Sequence, residues 1–546
     1  MKSAALRQTF NAATRNRRLA RVLAAFLLAV LAEYGWWIAL IVYAFRLGGA
    51  SEAALVAVIQ LLPAVLIAPL LGARFAQGGV ARFVAAANTL GALSLAGCGA
   101  AMLAGAPPAV VYALAVGFSV ANSIARAQQH VLVTLVVTHA DELTAANVAT
   151  GWSEGIGALA GPLIAGILMN IDGPGLTCVV LGGLFALAAP LVLVIRSRPK
   201  DEEEEHIAQE EGGLRELVAA ARAIGTQPTT RALSAFPAAA AAVEGALDLL
   251  IVILAVQVLA VGQGGAGFLS AAFGFGGLAG SLLAVALIGR KMAYPLAAAT
   301  LFGGLALGAL AMVSTTAAAV VLLIGVGGAL TIQTVAATTL LQRSTPLDVI
   351  ACVFALIQST RDLGMAIGAV IVPILISLGG HSAAFIGVAA IAPLAVLVLA
   401  RRIRSVDEHA TIPIVEMGTL RALPIFAALP MAPLETMARE SDYLRLAAGE
   451  RVIGEGDAGD AFYAITDGEV SVTHAGGEIR RMERGEGFGE IALLHSVPRT
   501  TTVTTTAATT LLRVSREPFL TALGANVAVT ATAERIARER LQATDA

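Results

Sequence analysis

Residues 485–503, GEGFGEIALLHSVPRTTTV, combine the residue types needed to hold a small anion that also carries hydroxyl groups. Gly487 and Gly489 let the backbone turn tightly and approach a ligand closely. Glu490 offers a carboxylate that can accept hydroxyl protons from a sugar. The run that follows, IALLHS, is long enough for one short helical turn, whose unpaired N–H groups point at an anion. Arg499 adds a planar cationic fork suited to a phosphate. The threonines from Thr500 to Thr506 then favour a strand. A carboxylate for ribose and an arginine for phosphate together describe a nucleotide with one compact negative charge. No βαβ pattern follows, so the glycines at 485, 487 and 489 are not a dinucleotide fingerprint.

A second set of residues stands out because its surroundings are apolar. Glu33, Arg126, Glu154, Glu244, Asp248, Arg361 and Asp362 all interrupt long hydrophobic stretches. Charges at membrane depth are costly and mark function unless they pair with one another. Glu33 lies beside Tyr34, Trp36 and Trp37, an aromatic group suited to an amphipathic or cationic molecule. It is expected to be a lone carboxylate that loads and releases a proton. Arg126 has Asn122 and Gln129 nearby. The alternative for the whole set is a series of internal ion pairs.

The elements that position these groups follow from composition. The chain has 546 residues, of which 57% are hydrophobic and only 14% charged, with a mean hydropathy of +0.80. A soluble chain would carry about a quarter charged residues, so a polytopic membrane protein is expected. A net charge of −2 gives no field for nucleic acid. Cys98, Cys178 and Cys352 lie in apolar stretches without metal-ligand spacing, and no metal is expected. The basic N-terminus, with Arg7, Arg15, Arg17, Arg18 and Arg21, is expected to lead into an uncleaved first span.

Stretches of about twenty apolar residues are long enough to cross a bilayer. They fall at 20–46, 52–76, 80–104, 109–138, 143–170 and 175–196, then at 232–261, 265–289, 294–313, 316–342, 347–377 and 381–400. That gives twelve transmembrane helices in two six-helix halves, 1–196 and 231–404, joined by an acidic connection at 197–230. Lys and Arg collect at alternate connections, which places both termini and the central connection in the cytoplasm. The halves echo each other. Glu33 corresponds to Glu244, and Gly157 and Gly161 correspond to Gly364 and Gly368.

Beyond Arg404 the composition turns polar and rich in turns. A linker at 405–419 leads to a domain at 420–546. Runs such as AFYAI and EVSVTH, separated by Gly and Asp, predict a small β-barrel, flanked by helices at 431–440 and 527–541.

The stretch at 488–503 resembles the phosphate-binding cassette of cyclic-nucleotide-binding domains. It matches in Phe488-Gly489-Glu490-Ile491-Ala492-Leu493-Leu494 and in Pro498-Arg499-Thr500-Thr501-Thr502-Val503. The likeness extends from about 420 to 522, through GDAGDAFY and DGEVSV. It implies that Glu490 binds the ribose 2′-hydroxyl and Arg499 the cyclic phosphate. The amides of Gly489 to Ala492 would support them, and Thr500 would lie near the base. Thr501 departs from the family, which usually has Ala there. Cyclic AMP or cyclic GMP is the implied ligand.

The twelve apolar stretches resemble the major facilitator superfamily, and the first half is most similar to its exporters. The likeness rests on AEYGWWIAL, on LLPAVLIAPLLGARFA, and on Gly157-x-x-x-Gly161-Pro162-x-x-x-Gly166 with Ala165 in place of a glycine. The superfamily signature between the second and third spans is eroded, with Ala76 and Gln77 replacing its Asp and Arg. Together the two resemblances imply a secondary active transporter in the cytoplasmic membrane. The expected activity is proton-coupled export of small amphipathic molecules, regulated by a cyclic nucleotide. The alternative is a membrane-anchored sensor that has lost transport. A nucleotide carrier would need intramembrane lysines, and the cores of these spans have none. No kinase or cyclase signature is present, and an enzyme is not expected.

Overall fold

Away from water, a helix is the one open-ended structure that satisfies every backbone N–H and C=O within its own segment. The apolar part of the chain is built accordingly. The computed structural model describes residues 16–75, 80–136, 140–194, 228–285, 292–344, 347–409, 413–427, 429, 431–495, 497–524 and 527–544. The apolar region forms α1 (Arg17–Phe75), α2 (Val80–Leu103), α3 (Pro108–Val136), α4 (Ala140–Ala186), α5 (Ala188–Leu193) and α6 (Pro228–Ile253). A π-helical turn, Leu254–Val258, continues α6. Then come α7 (Gly262–Val285), α8 (Ala293–Ala309), α9 (Thr316–Ser344) and α10 (Leu347–His409). Among the described residues, nine helices are long and apolar enough to cross a membrane. The chain is a multi-pass membrane protein.

Three of these helices are broken inside. The breaks fall at Gly48–Gly49 in α1, Asp172–Gly173 in α4 and Gly379–Gly380 in α10. In each, the second residue is a glycine with φ between +66° and +72°, a conformation that costs other residues strain.

Small residues set the helix spacing. A Cβ on Gly161 of α4 would lie 2.7 Å from the Leu31 carbonyl of α1. A Cβ on Gly368 of α10 would lie 1.9 Å from the Ala242 carbonyl of α6. The glycine spacings shared by the two halves are thus sites of close backbone approach. The halves touch along α4 and α7, where a Cβ on Gly274 would lie 2.2 Å from the Ala158 carbonyl. Large apolar side chains such as Leu90, Leu282, Leu305 and Val321 remain exposed on the outside of the bundle, as a lipid-facing surface requires.

The C-terminal part begins with α11 (Ile414–Ala422) and α12 (Met431–Arg439). Strands β1 (Ser441–Leu446), β2 (Arg451–Ile453), β3 (Ala461–Asp467), β4 (Glu469–His474), β5 (Gly477–Glu483) and β6 (Gly487–Phe488) follow. The domain is completed by α13 (Glu490–His495), β7 (Thr502–Thr505), β8 (Thr509–Ser515), α14 (Arg516–Gly524) and α15 (Val527–Thr544). The expected barrel takes the form of two antiparallel sheets, ordered β1-β8-β3-β6 and β2-β7-β4-β5. Strand alternation explains how β3 is buried on both faces. Ala461, Tyr463 and Ile465 join Val472, Met482 and Val503 between the sheets. Phe462 and Ala464 turn the other way, onto Phe426, Phe519 and Val529 of the helical layer.

Several sequence expectations lie outside the described residues. These are most of the 197–230 connection, Ala76 and Gln77, and many of the basic residues used for orientation, among them Arg7, Arg15, Arg196, Arg198, Lys200, Arg290 and Lys291.

Candidate functional site

In the β domain, β6 passes into α13 through Gly489. Its φ is +98°, and a Cβ there would lie 2.8 Å from the Arg499 guanidinium. Glycine is therefore needed both for the turn and for the arginine's approach. Phe488 is buried and stacks on Tyr463, with ring centroids 5.3 Å apart, so its role is packing. Glu490 opens α13 and is 1% exposed. Its Oε1 accepts a bond of 2.7 Å from Arg540 of α15, while Oε2 is buried with no hydrogen-bond partner among the described residues. Arg540 also donates to the Gly487 carbonyl at 2.8 Å. The C-terminal helix is thereby tied to the carboxylate expected to meet a ribose.

Arg499 is 5% exposed and already bonded within the protein. It donates to the Gly489 carbonyl at 2.9 Å, the Ala461 carbonyl at 2.8 Å and Asp460 Oδ1 at 3.1 Å. Its Nε–H and one Nη1–H are left for an anion. Asp460 also accepts from Arg513 at 3.1 Å. Burial pushes the Asp460 carboxyl up, but the hydrogen bond from Arg499 and the charges of Arg499 and Arg513 outweigh it and hold the group below the ordinary carboxylate range. Ala492 is buried and Ile491 half-buried on α13. Thr500 is half-buried, and its carbonyl lies 3.0 Å from His474 Nδ1. The residues expected to form the pocket are thus together, with one carboxylate oxygen and two guanidinium N–H groups available.

Sequence reasoning missed Asp460, Arg513 and Arg540. Asp460 lies in a stretch already noted for its family likeness, but nothing in the sequence joins it to Arg499. Arg540 had one signal: Val529, Ala533 and Ala537 are buried along one face of α15, and Arg540 continues that face.

Within the bundle, α1, α3 and α4 bring Glu33, Arg126 and Glu154 together. The Arg126 guanidinium is bonded to both carboxylates, and it also lies 5.9 Å from the Phe26 ring. Glu33 is therefore not the lone carboxylate expected. Arg126 lies 93 positions away in the chain and reaches it across the helix interface. In the second half, Glu244 of α6 pairs with Arg361 of α10 at 3.2 Å. Asp248 accepts a 2.7 Å bond from the Trp37 indole, so a residue of one half grips a residue of the other. Asp362, next to Arg361, is half-buried. Trp36 packs edge-on against Phe118, with centroids 4.5 Å apart, and belongs to the packed core. Among the described residues, no cluster of three or more His, Cys, Asp or Glu is placed to hold a metal.

A family model for the Major Facilitator Superfamily matches residues 22–369. A second, for the cyclic nucleotide-binding domain, matches residues 443–526. The chain is similar to the cAMP-dependent protein kinase regulatory subunit of Eremothecium gossypii, 34% identical over 111 residues, which cover 20% of this chain and 24% of that protein. It is similar to the Yarrowia lipolytica subunit of the same description, 35% identical over 109 residues, or 20% and 29% of the two chains. A cGMP-dependent protein kinase of Toxoplasma gondii is 40% identical over 76 residues, or 14% of this chain and 8% of that one. The chain thus spans about a quarter of the length of the two regulatory subunits. Among solved structures, it is similar to the regulatory domain of Toxoplasma gondii PKA crystallised with cAMP, at 17% identity and a TM-score of 0.23, covering 26% of this chain and 55% of that one. The sensor domain of the transcriptional regulator DNR from Pseudomonas aeruginosa gives 22% identity and a TM-score of 0.22, covering 24% and 90%.

Proposed function

The chain belongs to the Major Facilitator Superfamily and carries a cyclic nucleotide-binding domain, and from that premise we propose that it is a proton-coupled exporter of small amphipathic molecules, regulated by cAMP or cGMP. Each helix broken at a glycine is read as two spans, which turns nine long helices into twelve. Both termini then face the cytoplasm of a cell whose inner membrane holds the bundle. The observation that carries the transport reading is the placement of charge. Glu33, Arg126 and Glu154 meet inside one half, Glu244 and Arg361 inside the other, and Trp37 to Asp248 bridges the two. The ion pairs inside each half also suit a purely structural role, so the weight rests on Asp248, which among the described residues is held by an uncharged indole across the junction. A charge kept at such depth without a cation marks a pathway. Export is supported by the Gly157, Gly161 and Pro162 pattern of α4.

In the cyclic nucleotide domain, Glu490 takes the ribose 2′-hydroxyl through Oε2, and Arg499 takes the phosphate through its remaining N–H groups. The amides of Gly489 to Ala492 complete the cradle, with Phe488 packing beneath it and Thr500 near the base. Regulation is supported by Arg540, which joins the same Glu490 to the C-terminal helix. Ligand occupancy and helix position are then not independent. A ligand shifts a transporter between orientations only by its difference in affinity for the two. A coupling of about 1–3 kcal/mol changes affinity roughly 5- to 150-fold, and the effect is reciprocal. The test is nucleotide affinity in the reconstituted full chain, with and without a transported substrate. The expected result is a shift in affinity equal to the shift in substrate affinity that the nucleotide produces. Identical nucleotide affinities, with a substrate that selects one orientation, refute regulation.

A further inference from the structure

Asp248 differs from Glu33, Glu154 and Glu244. Glu33 and Glu154 share Arg126, and Glu244 has Arg361 at 3.2 Å. Among the described residues, Asp248 has no such cation. Its hydrogen bond of 2.7 Å comes from the uncharged Trp37 indole, 211 positions earlier in the chain. Trp37 stands on α1 in one half and Asp248 on α6 in the other. Around them is a cavity of about 10 Å³, walled by Ile41, Ala53 and Ala57 of α1 and by Gly245, Met365 and Ala369 of α6 and α10.

Size and chemistry restrict what this place can take up. A cavity of about 10 Å³ is at the threshold for a single water molecule, so an organic cation does not fit. A metal cation takes several oxygen ligands, and the side chains around the cavity offer one carboxylate. A proton needs neither room nor further ligands. Leaving a carboxylate at this depth without a cation is costly, and a bound proton removes the charge that is costly.

We propose that Asp248 is the proton-carrying carboxylate of the transport cycle and that its bond to Trp37 is the latch it works. The role expected of Glu33 from sequence thus passes to Asp248. The inference rests on the reading of the chain as a proton-coupled transporter. Ionised, Asp248 Oδ2 accepts the indole N–H as a charge-assisted bond, which is roughly twice as strong as a neutral one. When a proton from the open side adds to the carboxylate, the indole keeps its own hydrogen and the bond falls to the neutral kind. The halves then separate more readily at this level. The charged and titratable groups around Asp248 are few. Glu244 lies one turn earlier on α6, and α10 contributes Arg361, which pairs with Glu244, and Asp362. From α1 come Tyr34, Glu33, which is bound to Arg126, and Glu52, which precedes the wall residue Ala53 and accepts a 2.7 Å bond from the Tyr112 hydroxyl. The packed faces of α7 and α9, residues 262–285 and 316–342, contain no titratable residue.

The test is infrared difference spectroscopy of the full chain in lipid, titrated with acid in the absence of substrate. Wild type is expected to gain the C=O band of one protonated, desolvated carboxyl. That band is lost in Asp248→Asn and shifted in frequency in Trp37→Phe, which keeps the ring but removes the donor. A band unchanged in both variants overturns the proposal. If Asp248→Asn does not fold, an unshifted band in Trp37→Phe overturns it alone. A second measurement, the distance between spin labels at Leu55→Cys and Ile374→Cys on either side of the junction, is expected to lengthen on acidification in wild type. In Trp37→Phe it should be long at both pH values. An unaltered pH response in Trp37→Phe also overturns the proposal. Neither readout uses transport. A titrating Asp248–Trp37 bond in a chain that moves no substrate would refute the transport reading, and with it the carrier role of Asp248, whereas an unaltered band and distance in Trp37→Phe refute the latch alone.

Discussion

Replacing Arg499 by lysine tests whether this residue is strut, ligand-binding group or both. The guanidinium reaches three acceptors, two backbone carbonyls and Asp460, at 2.8 to 3.1 Å. An ammonium group is compact and lacks the rigid fork that spans them, so at least two of the three bonds are lost. Hydrogen bonds to a charged group contribute about 1.5–3 kcal/mol each, which puts the loss at about 3–6 kcal/mol. A domain is stable by only about 5–15 kcal/mol, so the domain is expected to melt far earlier. Arg499→Ala, which removes the internal bonds together with the anion contact, therefore confounds two effects. The discriminating assay is thermal unfolding of the C-terminal domain within the purified full chain, with and without cAMP or cGMP. A ligand at about a hundred times its Kd stabilises the folded state by about 2.7 kcal/mol. Wild type should show that shift, and Arg499→Lys should show a low melting point with little or no shift. A wild-type melting point would refute the strut. A low melting point with the full wild-type shift would remove Arg499 from the ligand site.

Other outcomes follow from the same geometry. Asp460 has a carboxyl held below its ordinary value by Arg499 and Arg513, so its contribution to stability is present above the ordinary carboxylate range and lost as pH falls through the lowered value. Acid titration of unfolding should flatten over that window in Asp460→Asn. Glu490→Gln should weaken cAMP and cGMP more than their 2′-deoxy analogues, read by competition titration, and equal losses would free Glu490 from the ribose. Thr500→Ala should change the cGMP to cAMP affinity ratio in the same titration. Glu33→Gln leaves Arg126 paired with Glu154, so expression and any pH dependence of the proposed transport should survive it. Arg126→Gln strands two carboxylates and should sharply reduce the folded yield.

The division of the chain was legible because two physical periods change at one place. Before Arg404 apolar runs reach the length of a bilayer, and beyond it they shrink to short strands between Gly and Asp turns. Arg499 was legible as the single arginine of a short glycine-containing stretch, and Glu490 as the carboxylate that opens its apolar run. What a side chain touches across many tens of residues was not. Glu33 read as isolated because its neighbours in sequence are aromatic, yet Arg126 meets it from a third helix. The Arg540 contact was hidden for a related reason. Arg535, Arg538 and Arg540 are alike in sequence, and only the docking of α15 decides that the last one turns inward while the first two pair with glutamates on its exposed side.

The glycine breaks in α1, α4 and α10 have a mechanical consequence. A loop of many residues lets two neighbouring helices slide or tilt separately, but a link of two residues pins their ends together. With φ at +66° or +72° in the second position, the link is a bent joint that only glycine adopts without strain. Each joined pair therefore shares a fixed apex, and a displacement of one arm there must be passed to the other. The freedom to open is left to the opposite ends of the arms. A side chain added at Gly49, Gly173 or Gly380 would be felt as stiffness or misalignment along two helices at once, far from any charge or ligand.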